Sequence, residues 1–210
     1  MLSAKVRHYD RKIQIAKSVI NDIHDEVAKI KDCRLLIFGL GFDSKMWSAC
    51  CEHVTFVEDN PTYVALNKDL DQESIVQCKY HTTVASCWTM SQEELVAENP
   101  PQELVARGPY DIVLIDGPWG EGNGPGRLLP ACWTRKLVKD GGIVYMDDVS
   151  RPLETYIVAK MFGDCEVLRT FPERLGAKKI RFSNKSQIVH LLPPAMWSSY
   201  DRKSGVKLAR

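Results

Sequence analysis

An apolar run that ends in a glycine turn and then becomes a helical pattern constrains this chain more than any other feature. Glycine lets the main chain approach a ligand where a Cβ would collide, and the amides that open the helix then face that ligand. A dinucleotide fingerprint has a third glycine where Ser44 stands, so a ligand without phosphates is favoured, and we predict S-adenosylmethionine. The turn residues predicted to hold it are Gly39, Leu40, Gly41, Asp43 and Ser44.

From Arg34 onward, strand and helix patterns alternate as a doubly wound sheet requires. The predicted strands are Leu35–Phe38, Val54–Glu58, Ile75–Tyr80, Asp111–Asp116 and Ile143–Asp147, with Glu166–Phe171 and Gln187–Leu192 as a closing hairpin. The predicted helices are Ser44–Cys51, Pro61–Leu70, Leu128–Val138 and Pro152–Phe162, and a capping box at Ser91–Glu94 begins a short one. The pattern therefore predicts an α/β, Rossmann-like sheet of about seven strands, with the main domain at residues 33–195 and a polar, basic tail at 196–210.

The first thirty residues carry the clearest helical periodicity. Their apolar positions step by threes and fours along one stripe, and they are Val6, Tyr9, Ile13, Ala16, Ile20, Ile23, Val27 and Ile30. The spacing predicts an amphipathic helical extension at residues 1–32 that packs on the following domain. A homodimer seam is the alternative interpretation.

Composition argues against several classes of partner and compartment. Lys plus Arg (28) nearly equals Asp plus Glu (27), so no net field would hold nucleic acid or an anionic membrane, and a neutral or weakly charged substrate fits better. The seven cysteines are odd in number and include no C-x-x-C pair, which indicates reduced thiols in the cytoplasm or another reducing compartment. Neither a signal peptide nor a transmembrane segment is visible.

Carboxylates close the predicted strands at the edge where ligands bind in such sheets. Glu58 follows the glycine turn by roughly the ~20 residues expected of a ribose-binding acid, with Asp59 beside it. Capping of the helix at Pro61 by Asp59 or Asn60 is the plainer alternative. We favour ribose binding for Glu58.

Three further carboxylates, Asp116, Asp147 and Asp148, converge on the same edge from the fourth and fifth strands. One of them could remove the proton of an acceptor hydroxyl if burial and like charges raise its pKa. Alternatively, the three could bind Mg²⁺ or Mn²⁺, which prefer oxygen ligands and would acidify a coordinated hydroxyl. Both possibilities stay open, beside the plainer one that an aspartate caps the helix near Pro152.

The loop between these strands, residues 117–127, is rich in glycine and proline and is a candidate substrate rim. Trp119 could stack on a sugar face or plug the space beneath the loop, and Arg127 could donate to hydroxyls or a carboxylate. After the third strand, His81 and Thr82 lie where adenine contacts or a second base could arise, although a lone histidine there is more often structural.

With these residues assembled, the chain resembles the plant glucuronoxylan 4-O-methyltransferase family. The resemblance rests on segments spread over residues 35–155, namely Phe38–Gly41, Asp43-Ser44, Met46-Trp47, Phe56–Pro61, Tyr80 with Thr82, Asp116 with Pro118, Pro125–Arg127, and Asp148-Val149 with Arg151 and Glu154. It implies a class I, S-adenosylmethionine-dependent O-methyltransferase acting on a glycan or polysaccharide. It also implies an aspartate base, Asp148 aided by Asp147 or Asp116, and places Arg151 with the substrate residues.

The chain departs from the family pattern where an acceptor would bind. Phe42 and Asp147 stand at family histidine positions, and His81 replaces a basic residue. The particular sugar is therefore open, and the chain is also similar to methyltransferase modules of viral glycan-assembly proteins, so it could be part of a larger multidomain protein. A metal-dependent, catechol-type O-methyltransferase and a nicotinamide-dependent oxidoreductase are the alternatives.

Overall fold

The computed structural model describes residues 13–189 and Leu191. The strands are β1 (Arg34–Phe38), β2 (His53–Glu58), β3 (Ile75–Gln77), β4 (Tyr110–Ile115), β5 (Val138–Asp147), β6 (Glu166–Phe171) and β7 (Ala177–Arg181). The helices are α1 (Lys17–Val27), α2 (Ser44–Cys50), α3 (Pro61–Leu66), α4 (Val84–Cys87), α5 (Gln92–Ala97), α6 (Gln102–Arg107), α7 (Leu128–Leu137) and α8 (Pro152–Phe162), with a 3-10 turn at Gln72–Ser74. None of the helices within these residues has the length and apolar character needed to cross a bilayer.

The seven strands form one sheet in the order β3-β2-β1-β4-β5-β7-β6. Neighbours from β3 to β5 pair in parallel, and β7 runs antiparallel to both β5 and β6. The predicted doubly wound α/β sheet is confirmed. Its strand order reverses between β1 and β4, and the crevice at the carboxyl ends of those two strands is where ligands bind in sheets of this kind.

Alternation along the central strands divides the interior into two cores. In β1, Leu35 and Ile37 pack on one face with α1 and α2, whereas Leu36 and Phe38 pack on the other with α7 and α8. All four side chains are buried because helices cover both faces of the sheet. This is why the strand reads as a continuous apolar run.

Helix α1 packs against the sheet of the same chain. Ile20, Ile23 and Val27 are buried in the same core as β1, so the apolar stripe is covered within the chain. The expectation of a helix running through Ile13 and Ala16 is wrong, because helix begins only at Lys17; Ile13 and Ile15 are buried from an irregular segment instead. The predicted helical residues before Ile13, among them Val6 and Tyr9, lie outside the described residues, as does the tail at 196–210.

The closing hairpin differs from its prediction. Residues 187–189 and Leu191 are not in a strand, so the predicted strand Gln187–Leu192 is wrong over its described part, and β6 pairs with β7 instead. The sequence of β7, Ala-Lys-Lys-Ile-Arg, does not look like a core strand because it carries three cations. The middle cation, Lys179, is nevertheless buried, since acidic residues of α1 lie against it.

Lys179 joins α1 to the sheet through an ion-pair network. Its Nζ lies 2.7 Å from Asp22 Oδ2 and 2.8 Å from Glu26 Oε1. The Tyr145 hydroxyl of β5 donates to Asp22 Oδ2 at 2.6 Å, and Arg169 of β6 lies 2.9 Å from Asp22 Oδ1. Removing the ammonium would leave two poorly hydrated carboxylates side by side.

We expect Lys179→Met to lower the free energy of unfolding by about 3 kcal/mol, because it breaks a buried ion-pair network without leaving a large cavity. The matched control is Arg181→Met on the same strand, whose partner Glu166 is exposed, and its cost should stay below about 1 kcal/mol. Urea denaturation followed by circular dichroism measures both. Equal costs for the two variants would contradict an anchoring role for Lys179.

Candidate active site

The glycine turn and the end of β4 touch backbone to backbone. A Cβ on Gly117 would lie 2.7 Å from the Gly39 Cα, and one on Gly39 would lie 3.0 Å from the Gly117 nitrogen. Gly39 also has a φ of +111°, which side chains rarely allow, and the Asp116 and Gly117 amides both donate to the Phe38 carbonyl. Glycine at these two positions therefore brings the β1 turn against the β4 carboxylate.

The amides of the turn are engaged by the protein itself. Gly39 N donates to the Val57 carbonyl at 2.8 Å, Leu40 N to Glu58 Oε2 at 2.8 Å, and Gly41 N to Ser44 Oγ at 2.9 Å. Ser44 is buried, so this last contact is fixed. These three amides are consequently not available to a pyrophosphate.

Glu58 is a buried carboxylate at the end of β2. It accepts hydrogen bonds from the amides of Leu40, Asp59 and Asn60, at 2.7–3.0 Å. Burial raises the pKa of Glu58 in spite of these donors, and burial likewise raises the pKa of Asp59. A carboxylate offers about four lone-pair sites, so about one remains for a ligand. The capping of α3 is done by Asn60, whose Oδ1 accepts from Thr62 N.

Asp43 connects the glycine turn to the carboxylates of β4 and β5. Its Oδ2 accepts a hydrogen bond from Trp47 Nε1 at 2.8 Å. Burial, together with the neighbouring charge of Asp116, raises the pKa of Asp43 to about 6. The Asp43 side chain is thus close enough to Asp116 for the two charges to interact.

Asp116, Asp147 and Asp148 form an acid cluster in which one carboxylate oxygen from each lies within 4.8 Å of the others. Asp116 follows β4, Asp147 is the last residue of β5, and Asp148 has a left-handed φ of +59°. Helix α8 has Arg151 as its N-cap residue and no side-chain cap, so neither β5 aspartate caps it. The three side chains that the sequence placed at one edge do come together.

Arg127 is the buried counter-charge of the acid cluster. Its guanidinium is 2.7 Å from Asp148 Oδ2 and 3.6 Å from Asp116 Oδ1, and it donates to the Asp147 carbonyl at 3.0 Å. Arg151 adds a second guanidinium, 2.9 Å from the same Asp148 oxygen. Asp148 is therefore bound by two arginines.

The carboxyl group of Asp147 is in a different environment from that of Asp148. Only 9% of its surface is exposed. Burial, followed by the charges of Asp116 and Asp148, raises the pKa of Asp147 to about 8, although Arg127 opposes the shift. Near neutral pH this carboxyl group can therefore hold or release a proton.

The glycine-rich loop covers the acid cluster. Trp119 is 70% exposed, which excludes a plug beneath the loop, and Glu121 pairs with Arg151 at 3.1 Å. The Thr82 hydroxyl donates to the Pro125 carbonyl at 2.9 Å, so this predicted cofactor residue holds the loop.

His81 Nε2 lies 3.0 Å from Glu98 Oε1, on α5's side of the molecule.

Glu154 is a site residue that the sequence interpretation did not single out, except as part of the family resemblance. It is fully buried on α8, and neither carboxyl oxygen has a hydrogen-bond partner among the described residues. A Cβ on Gly120 would collide with Glu154 Oε1, and Arg151 Nη1 is 4.0 Å from it. Burial raises the pKa of Glu154. The sequence signal for the burial of Glu154 is that most of its neighbours in α8 are apolar.

Comparison with known proteins bears out the family resemblance. No protein-family model matches the chain. Glucuronoxylan 4-O-methyltransferases 1 and 2 of Arabidopsis thaliana are 25% identical over 186 residues and 26% identical over 152, covering 73% and 60% of this chain. The chain spans 64% and 52% of the length of these relatives.

A solved structure shares the fold. It is a Staphylococcus aureus protein assigned as a caffeoyl-CoA O-methyltransferase, with a TM-score of 0.52 at 16% identity, covering 85% of this chain and 88% of that one. The seven-stranded sheet is thus the Rossmann-like class I methyltransferase fold that the sequence predicted.

We expect Asp147→Asn to change how stability depends on pH. Because the folded pKa is raised, the folded protein keeps a proton that the unfolded chain releases, so stability falls as pH rises from the ordinary value of 3.8 to about 8. The variant should gain at least about 3 °C more in Tm at pH 8 than at pH 5. Differential scanning fluorimetry measures this, with Asp25→Asn at an exposed position of α1 as control. An equal gain at both pH values would contradict the raised pKa.

Proposed function

We propose that this chain is an S-adenosylmethionine-dependent O-methyltransferase that methylates a sugar hydroxyl of a glycan or polysaccharide. The observation that carries the proposal is the acid cluster, which adjoins the glycine turn at the crevice between β1 and β4. The class I methyltransferase fold and the glucuronoxylan methyltransferase relatives support it. Because the chain spans only part of those relatives, a role as one module of a larger glycan-synthesis protein is also proposed.

S-adenosylmethionine fits the cofactor side of the crevice better than a dinucleotide. The turn amides already donate to protein acceptors, so a pyrophosphate would lack its usual partners. Glu58 retains about one lone-pair site for a ribose hydroxyl. The cofactor would supply a methyl group activated by a sulfonium. These features count against the nicotinamide-dependent alternative.

The acid cluster supplies a general base. Methyl transfer is an in-line displacement in which the acceptor oxygen must lose its proton as it attacks. Asp147 suits this step, since its raised pKa lies closer to that of a hydroxyl than an ordinary aspartate's does. Asp148, the base that the family resemblance implies, accepts from two arginines, so we propose that it orients the guanidiniums instead.

The acceptor side of the crevice is the loop at residues 117–127. Trp119 exposes its ring there and can stack on the apolar face of a sugar. Arg127 is 4% exposed and contacts the acid cluster, which leaves it little surface for a substrate. Residence in a reducing compartment and homodimerisation through the N-terminal segment remain predictions.

A metal-dependent, catechol-type O-methyltransferase is the second candidate. Three carboxylates within 4.8 Å of one another fit Mg²⁺ or Mn²⁺, which would acidify a bound acceptor hydroxyl. Against it, the Arg127 guanidinium already lies between Asp116 and Asp148 as a competing cation. A chelator separates the two candidates.

We expect calorimetric titration to give micromolar binding of S-adenosylhomocysteine, unchanged by a chelator, and no binding of reduced nicotinamide dinucleotide. Glu58→Gln removes a charged acceptor of the ribose site and should weaken binding by about tenfold, equivalent to about 1.4 kcal/mol. The control Glu73→Gln makes the same change in the exposed 3-10 turn and should bind normally. Nicotinamide binding without S-adenosylhomocysteine binding would contradict the proposed function.

We expect Asp147→Asn to lower kcat by about 10²–10⁴-fold while sparing cofactor affinity, because it removes the base. Asp148→Asn should cost less, and asparagine tolerates the left-handed backbone at this position. Transfer of a radiolabelled methyl group to an oligosaccharide panel measures both. Activity lost in both variants and abolished by EDTA would instead support the metal-dependent candidate; full activity of Asp147→Asn would remove it as the base.

A further inference from the structure

We propose that the acceptor is a neutral sugar and that the site discriminates against uronates; this rests on the proposed methyltransferase function. The reason is the state of the two arginines beside the acid cluster. Arginine is the residue that usually recognises a substrate carboxylate, because its planar fork forms paired hydrogen bonds. In this site the terminal nitrogens of both forks lie against carboxylates or a carbonyl of the protein.

Arg127 offers no face to a substrate. One terminal nitrogen lies 2.7 Å from Asp148 Oδ2, and the other donates to the Asp147 carbonyl at 3.0 Å. The side chain is buried, and Asp116 is a further neighbour at 3.6 Å. An acceptor carboxylate would have to displace the partners that hold the acid cluster together.

Arg151 is more accessible, but both of its terminal nitrogens are also taken. Nη1 is 2.9 Å from Asp148 Oδ2 and Nη2 is 3.1 Å from Glu121 Oε1. Its Nε is buried. A uronate could reach this guanidinium only by breaking the bond between the loop and Arg151.

No substitute is supplied by Arg174, Lys45 or Lys79. Arg174, in the β6–β7 turn, donates to the Gln14 carbonyl, and Lys45 pairs with Asp69 at 2.9 Å. Lys79 is exposed after β3, three strand positions from β4 and thus about 14 Å away at ordinary strand spacing. It lies on the cofactor side of the crevice.

Carboxyl groups outnumber guanidiniums around the acceptor position. The carboxyl side chains are Asp43, Asp116, Asp147, Asp148, Glu121 and Glu154, and the guanidiniums are those of Arg127 and Arg151. Even if two of these six carboxyl groups were uncharged, four would face two arginines. This excess of negative charge suits the sulfonium of the cofactor and opposes an acceptor carboxylate in a partly buried site.

The test uses acceptor pairs that differ only in whether C6 of the uronate residues is a carboxylate or a primary alcohol. Glucuronoxylan oligosaccharides and oligogalacturonates are each compared with their carboxyl-reduced forms, in which the uronate becomes the corresponding neutral hexose. With radiolabelled S-adenosylmethionine and EDTA present, we expect kcat/KM to be at least about tenfold higher for a reduced member than for its uronate partner.

The variant Glu121→Gln sharpens the test. It releases one side of Arg151 without disturbing the core, because the Glu121 side chain is 58% exposed. The uronate-to-neutral ratio of kcat/KM should rise several-fold. The control Glu166→Gln breaks an exposed pair with Arg181 on the distant β6–β7 edge and should leave the ratio unchanged.

The outcomes separate the two proposals. A uronate preferred over its reduced partner, with EDTA or only with Mg²⁺, overturns the neutral-acceptor inference while leaving methyltransferase activity intact. Transfer to no pair by a protein that binds S-adenosylhomocysteine overturns the carbohydrate acceptor and this inference with it. Failure to bind S-adenosylhomocysteine overturns the proposed function itself.

Discussion

The buried guanidinium of Arg127 is the interaction on which the functional edge of this sheet depends. Three aspartates end two adjacent strands, and their mutual repulsion would open the edge if nothing positive lay among them. Arg127 contacts Asp148 and Asp116 by charge and the Asp147 backbone by a hydrogen bond. Since Arg127 is also the N-cap residue of α7, the same contacts tie that helix to β5. Arg127 consequently supplies the acid cluster with a counter-charge from within the protein.

A second constraint sets where the acid cluster lies relative to the glycine turn. Gly39 and Gly117 approach so closely that a Cβ on either would meet the backbone of the other. Asp116 immediately precedes Gly117, so the contact fixes a carboxylate beside the turn. The raised pKa of Asp43, to which the charge of Asp116 contributes, is the electrostatic sign of that proximity. The proposed cofactor and acceptor positions are thus joined by a direct contact between two backbone segments.

The sequence predicted the structure correctly where a residue type has a single physical role. Continuous apolar runs identified the central strands, and carboxylates at strand ends identified the acid cluster, because parallel strands bring their carboxyl ends to one edge. Contacts between distant residues left no such signal. The local sequence does not indicate that Lys179 is buried, because its partners Asp22 and Glu26 lie on α1. For the same reason β7 was missed and a strand was expected at residues 187–192.

Burial changes the interpretation of Arg127. Arginine in a glycine-rich loop is typical of a substrate rim, and only its burial shows that its partners are internal. Glu154 is the converse case, since an acidic residue early in a helix is ordinarily solvated but here lies beneath Gly120. Whether a charged side chain faces substrate or protein depends on which elements fold over it, which is tertiary information that local patterns do not contain.

The negative charges of the two adjacent aspartates at the end of β5 are offset in different ways. Two guanidiniums contact Asp148, whereas the raised pKa of Asp147 favours the protonated form of its carboxyl group. The neighbouring carboxyl groups are thus placed in two different environments, which is how one site can give two carboxyl groups different roles. In the proposed reaction, a sulfonium beside the cluster would favour the ionised form of Asp147. Cofactor binding would then raise the fraction of Asp147 that is ionised and able to accept the proton of the acceptor hydroxyl.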